Sequence, residues 1–162
     1  MPTRITALWR SLSDCNQSPL RYLALALLAD LPVTVAIAFV LNQVTGTSWP
    51  EFPAESLPRL LLVMCVFVPL VETLGIALLV WALRRFTKLS KYLPLITALI
   101  CAGLHTLAKL YWGLEIFWAF LIFALCYVTW EKKSLVHAFV LTAILHALHN
   151  LVPMLVLIAA RN

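Results

Sequence analysis

From residue 58 to residue 83 the sequence holds one interior charge, Glu72, with Arg59 at one edge and Arg84 and Arg85 beyond the other. A bilayer core about 30 Å thick takes about 20 predominantly apolar residues as helix, and every backbone polar group there must be bonded within the segment. Cutting the chain wherever charges or Pro and Gly clusters interrupt runs of that length gives five spans, 20–44, 58–83, 92–110, 115–130 and 135–160. With 63% hydrophobic and 12% charged residues, a chain of 162 residues has too little polar surface to cover a soluble globule. The expectation is an all-α polytopic transmembrane bundle: a single domain over 20–160, preceded by a segment 1–19 that includes an amphipathic stretch suited to lying on a membrane surface.

The net charge of +5 would suggest nucleic-acid binding in a soluble protein, but here the bases sit in short loops. Arg4 and Arg10 precede the first span and Arg21 stands at its very start, Arg84, Arg85, Lys88 and Lys91 follow the second, and Lys132 and Lys133 follow the fourth; the intervening loops are poor in bases. The positive-inside rule therefore predicts a cytoplasmic N-terminus and an external C-terminus, with the lipid bilayer as partner and no nucleic acid. Ala36-Ile37-Ala38 has the form of a signal cleavage site, yet the apolar run continues to Leu41, so the first run is read as a span. A tight turn is expected at 112–115. Cys15, Cys65, Cys101 and Cys126 lack metal-type spacing and read as apolar filler. No Gly-rich phosphate loop, internal repeat or low-complexity tract is present.

Chemistry must then come from ionisable residues inside the spans, each of which costs at least about 2.5–3.5 kcal/mol to insert. Glu72 lies 13 residues from Arg85, His105 lies 14 from Lys91, and His146 lies 13 from Lys133. At 1.5 Å per residue all three sit about 20 Å from the cytoplasmic bases, on three separate helices. Asn150 follows His146 by four residues and shares its helix face. A carboxylate beside imidazole can take a proton from water, and an imidazole with a carboxamide can donate to a developing oxyanion, so the set can hydrolyse an acyl bond. Glu72, His105 and His146 are equally a ligand set for zinc, and the residue types alone leave both chemistries open.

These residues resemble the CPBP family, the CAAX protease and bacteriocin-processing enzymes also called the abortive-infection family, whose pattern is EExxxR, then FxxxH, then HxxxN. Glu72 in PLVETLGIALL stands at the first Glu, His105 in CAGLHTL ends the second motif, and His146 with Asn150 in HALHN matches the third; the resemblance covers about 58–152. Thr73, Ala77 and Cys101 replace the second Glu, the Arg and the Phe. The resemblance implies an intramembrane endopeptidase acting on a peptide or membrane-protein substrate in a bacterial inner (plasma) membrane. In that reading Glu72 is the general base, His105 shares activation of water, and His146 and Asn150 stabilise the oxyanion. The family is described as metal-dependent, with a metal-free glutamate mechanism proposed for its prenyl-processing members, so the resemblance implies zinc as an optional cofactor, not a required one.

His149, offset by about 60° from His146, is an auxiliary candidate. Pro153 predicts a kink or break in the last helix, and Pro69 a bend before Glu72. Asp30 reads as structural or as lining a water path, Lys109 and Glu115 as outer-end residues that snorkel or pair at the surface, and His137 as interfacial. Two other functions remain open on the sequence. A non-catalytic CPBP-like scaffold or immunity factor is favoured by the absent Glu and Arg, and a proton-coupled transporter could use the same mid-membrane acid and imidazoles.

Overall fold

The computed structural model describes residues 4–46, 56–86 and 91–161, and among them every regular element is a helix. The loop expected over 45–57 and Lys88 of the 84–91 loop fall largely or wholly outside the described residues. The elements are α1 (Arg4–Leu12), α2 (Pro19–Thr45), α3 (Leu57–Leu62), a π-helical turn (Val63–Phe67), α4 (Val68–Leu83), α5 (Leu93–Thr106), α6 (Trp112–Trp130) and α7 (Leu135–Arg161). α3, the π turn and α4 follow one another without a gap as a rod over Leu57–Leu83.

Among the described residues four helices are long and apolar enough to cross a membrane, and α5 is a shorter apolar one. Its 14 residues reach about 21 Å, short of a bilayer core. The third expected span, drawn to residue 110, is therefore too long by four residues. The chain reverses over 107–111, where Ala108 and Lys109 both donate to the His105 carbonyl. Residues 112–115, expected as a turn, form the first turn of α6 instead. Gly113 is the reason α6 can begin there: a Cβ on it would lie 2.4 Å from the Ala102 carbonyl oxygen and 2.3 Å from Thr106 Cγ2. Gly113 lies against the Ala102 backbone and the Thr106 side chain, and only glycine leaves the room.

α2 is delimited by local chemistry. The Ser18 hydroxyl accepts from the Arg21 amide, Pro19 opens the helix, and Gly46 closes it at φ 63° with its N–H on the Asn42 carbonyl. The long central helix, α6, packs against α2, α5 and α7. Its Phe120, Phe123, Ala124, Tyr127 and Trp130 are buried, whereas Leu28, Phe39, Phe67, Leu78, Trp81, Leu104 and Val136 on surrounding elements face outward. Large apolar side chains on the outside of a helical bundle are what a lipid environment requires. The chain is an integral membrane helical bundle.

α1 is held against the bundle by the Leu12 carbonyl, which accepts from both Tyr22 Oη (3.1 Å) and Thr129 Oγ1 (3.0 Å). Trp9 also meets Trp118 edge to face at 6.0 Å. Arg84 and Glu131 pair across the ends of α4 and α6, which sets these two helix ends at one end of the bundle. Pro153 does not break α7, which continues helically to Arg161. Neighbouring helices can supply the packing and bonds that a proline removes from a membrane helix.

Candidate active site

Glu72 is on α4, His105 on α5, and His146, His149 and Asn150 on α7. The equal depths read from the sequence say nothing of rotation, and rotation is what the packing supplies. Glu72 Oε1 lies 3.4 Å from His105 Nε2, and Glu72 Oε2 lies 3.5 Å from His146 Nε2. Three side chains from three helices thus meet at one carboxylate. They line a partly open cavity of about 440 Å³ together with Trp112, Phe120, Phe123, His149 and Asn150, and the rest of the wall is largely apolar.

The imidazoles differ in how they are held. His105 Nδ1–H donates to the Cys101 carbonyl at 2.8 Å, so in the neutral ring Nε2 carries the lone pair that faces Glu72. A lone pair and a carboxylate oxygen 3.4 Å apart need a shared proton or a water touching both. His146 is 4% exposed and stacks on Phe123 at 4.5 Å and 26°. Its Nδ1 is buried with no hydrogen-bond partner among the described residues, so the proton belongs on Nε2, where it can be donated toward Glu72.

A second pair lies on the other wall. His149 Nδ1–H donates to Asp30 Oδ2 at 2.6 Å, and Thr34 Oγ1 donates to Asp30 Oδ1 at 2.9 Å. Asp30 is 0% exposed, so its structural reading holds in a specific form: it ties α2 to α7 through His149. The Asp30 and Thr34 positions, four apart on one helix face, were the one sequence signal of this network. Glu115, expected at the outer surface, is instead a half-buried residue of the cavity wall. Asn150 lines the cavity too, but its Nδ2 donates to the Met64 carbonyl at 2.8 Å. His137 is exposed and bonded through Nδ1 to Ser134 Oγ at 2.7 Å, away from these groups.

Thr73, standing where the resembled motif has its second Glu, is fully buried, and its hydroxyl has no hydrogen-bond partner among the described residues. Among the described residues no group of three or more His, Cys, Asp and Glu side chains is arranged to hold a metal ion, so Glu72, His105 and His146 stand here as a carboxylate with two imidazoles beside it. No protein-family model, curated protein or solved structure matches the chain.

Proposed function

We propose that this chain is an intramembrane endopeptidase of the CPBP type, hydrolysing a peptide bond in a peptide or membrane-protein substrate with a water activated by Glu72 and His105. The observation that carries the reading is the Glu72 carboxylate lying within 3.5 Å of two imidazole nitrogens from two other helices, on the wall of a largely apolar cavity. A water hydrogen-bonded to Glu72 and to the lone pair of His105 Nε2 is oriented by both. As its oxygen bonds to the substrate carbonyl carbon, its proton passes to Glu72. The carbonyl oxygen takes the negative charge and accepts from His146 Nε2–H. Glu72 then returns the proton to the amide nitrogen as the carbon–nitrogen bond breaks, leaving a carboxyl and an amine. The apolar wall suits an extended apolar segment, and a bacterial inner membrane is the compartment this reading implies.

The test is the purified chain in proteoliposomes with a panel of internally quenched apolar peptides. Glu72→Gln keeps shape and size while removing the base, and it abolishes cleavage without altering helicity or elution from a sizing column. Unchanged cleavage by that variant removes the assigned base. Thr73 and Ala77, at the places of the resembled motif's second Glu and its Arg, favour a second reading, a non-catalytic scaffold that binds a membrane peptide. Binding of panel peptides with no cleavage by the unaltered chain selects that reading.

A further inference from the structure

Asn150 does not point its amide at Glu72; it donates it to a backbone carbonyl that proline has left without a partner. Over Val63–Phe67 the helix widens into a π turn, and at its end the Val68 N–H bonds the Val63 carbonyl, five residues back. In the same register the next bond would run from residue 69 to the Met64 carbonyl. Residue 69 is proline and has no N–H. The Met64 carbonyl receives Asn150 Nδ2 at 2.8 Å instead, from a helix 86 positions away in sequence.

A π turn adds one residue to a helical turn, so it rotates everything after it by about 100° relative to a continuous α-helix. Glu72 lies four residues beyond Val68, on the rotated side. Its direction toward His105 and His146 therefore depends on the turn keeping its extra residue. The π turn packs against α7, the helix that also carries His146. One helix thus supplies both a partner for the carboxylate and the side chain that fixes the turn aiming it.

We propose that Asn150 is a positioning residue: by filling the carbonyl that Pro69 leaves open, it pins the π turn and so sets the direction of Glu72. What that direction serves rests on the protease reading, but the positioning itself does not. In the HxxxN match the carboxamide then acts four residues from His146 through the backbone of another helix.

The test is a cycle of Asn150→Ala and Pro69→Ala on the full chain in nanodiscs, with two probes. One is the ¹³C carbonyl resonance of Met64 after methionine labelling; the chain has three Met, and Met64→Leu assigns the signal. The other is the Glu72 side-chain carboxyl resonance, assigned with Glu72→Gln. Asn150→Ala shifts both signals and lowers the thermal midpoint by roughly 5 °C, the order expected for one buried carbonyl left open in a chain of this size. In the Pro69→Ala background a backbone N–H is available to Met64, and Asn150→Ala then produces less than half of these changes. Equal effects of Asn150→Ala in both backgrounds, or a Met64 carbonyl signal that Asn150→Ala does not move, overturn the proposal. If Asn150→Ala alone does not fold, folding of the double variant supports it, and failure of the double variant where Pro69→Ala folds overturns it. Loss of peptide cleavage is scored separately: a chain that never cleaves but shows the coupling keeps the positioning role and loses the protease.

Discussion

Asp30 and His149 form a 2.6 Å hydrogen-bonded pair between α2 and α7, with the carboxyl entirely out of solvent. A charge in such surroundings depends on its partner, and the two partners are not equivalent under mutation. Removing His149 leaves a buried acid whose remaining partner among the described residues is the Thr34 hydroxyl, whereas removing both leaves an apolar contact.

His149→Leu should therefore destabilise the chain by about 3–5 kcal/mol, and Asp30→Leu/His149→Leu by distinctly less. Reversible unfolding in mixed detergent measures both. A double variant less stable than His149→Leu would mean that the pair holds the helices by more than mutual compensation.

His146 offers a separation of packing from chemistry. Phe in its place keeps the stacking on Phe123 and removes a buried nitrogen that lacks a partner. His146→Phe should match or exceed the unaltered chain in thermal midpoint while peptide cleavage falls by about 10²–10³-fold, the loss expected for one oxyanion donor. Cleavage within a few-fold of the original would place the oxyanion elsewhere in the cavity.

The close approach of α5 and α6 rests on Gly113. Gly113→Ala forces its Cβ against the Ala102 carbonyl and Thr106, with an expected cost of about 1–3 kcal/mol and a displaced His105. Gly75→Ala, at a helical position where a Cβ meets nothing within 4 Å, is the control and should be neutral or stabilising by up to about 1 kcal/mol. Equal stability of the two variants, read by thermal unfolding, would show that the helices can part at no cost.

The carboxylate in the proposed mechanism works on water directly. Treatment with a zinc chelator followed by gel filtration should leave peptide cleavage unchanged, and added zinc should not raise it. Loss on chelation with recovery on zinc would instead assign Glu72, His105 and His146 as ligands that draw together around the ion.

The number and character of the helices were legible because apolar runs of membrane length allow few alternatives. The third span was overdrawn because hydropathy cannot see where a chain must turn; Leu107 and Leu110 are apolar yet lie in the reversal. Residue counting gave Glu72, His105 and His146 a common depth, but it fails for Asp30 and His149. These stand 9 residues from Arg21 and 16 from Lys133, a mismatch of about 10 Å on straight upright helices, and still they touch. Counting from the nearest base gives no common zero from one helix to the next.

By itself, then, the sequence determined that this chain is a membrane-embedded helical bundle and that Glu72, His105 and His146 stand at matching positions along their helices, since both follow from hydropathy and a fixed rise per residue. Only the tertiary structure decided which way those side chains face, that Asp30 belongs to His149, and that Asn150 reaches the Met64 carbonyl. Rotation about a helix axis is set by packing against neighbours distant in sequence, and here it is shifted further by a π turn that follows no hydrophobic period.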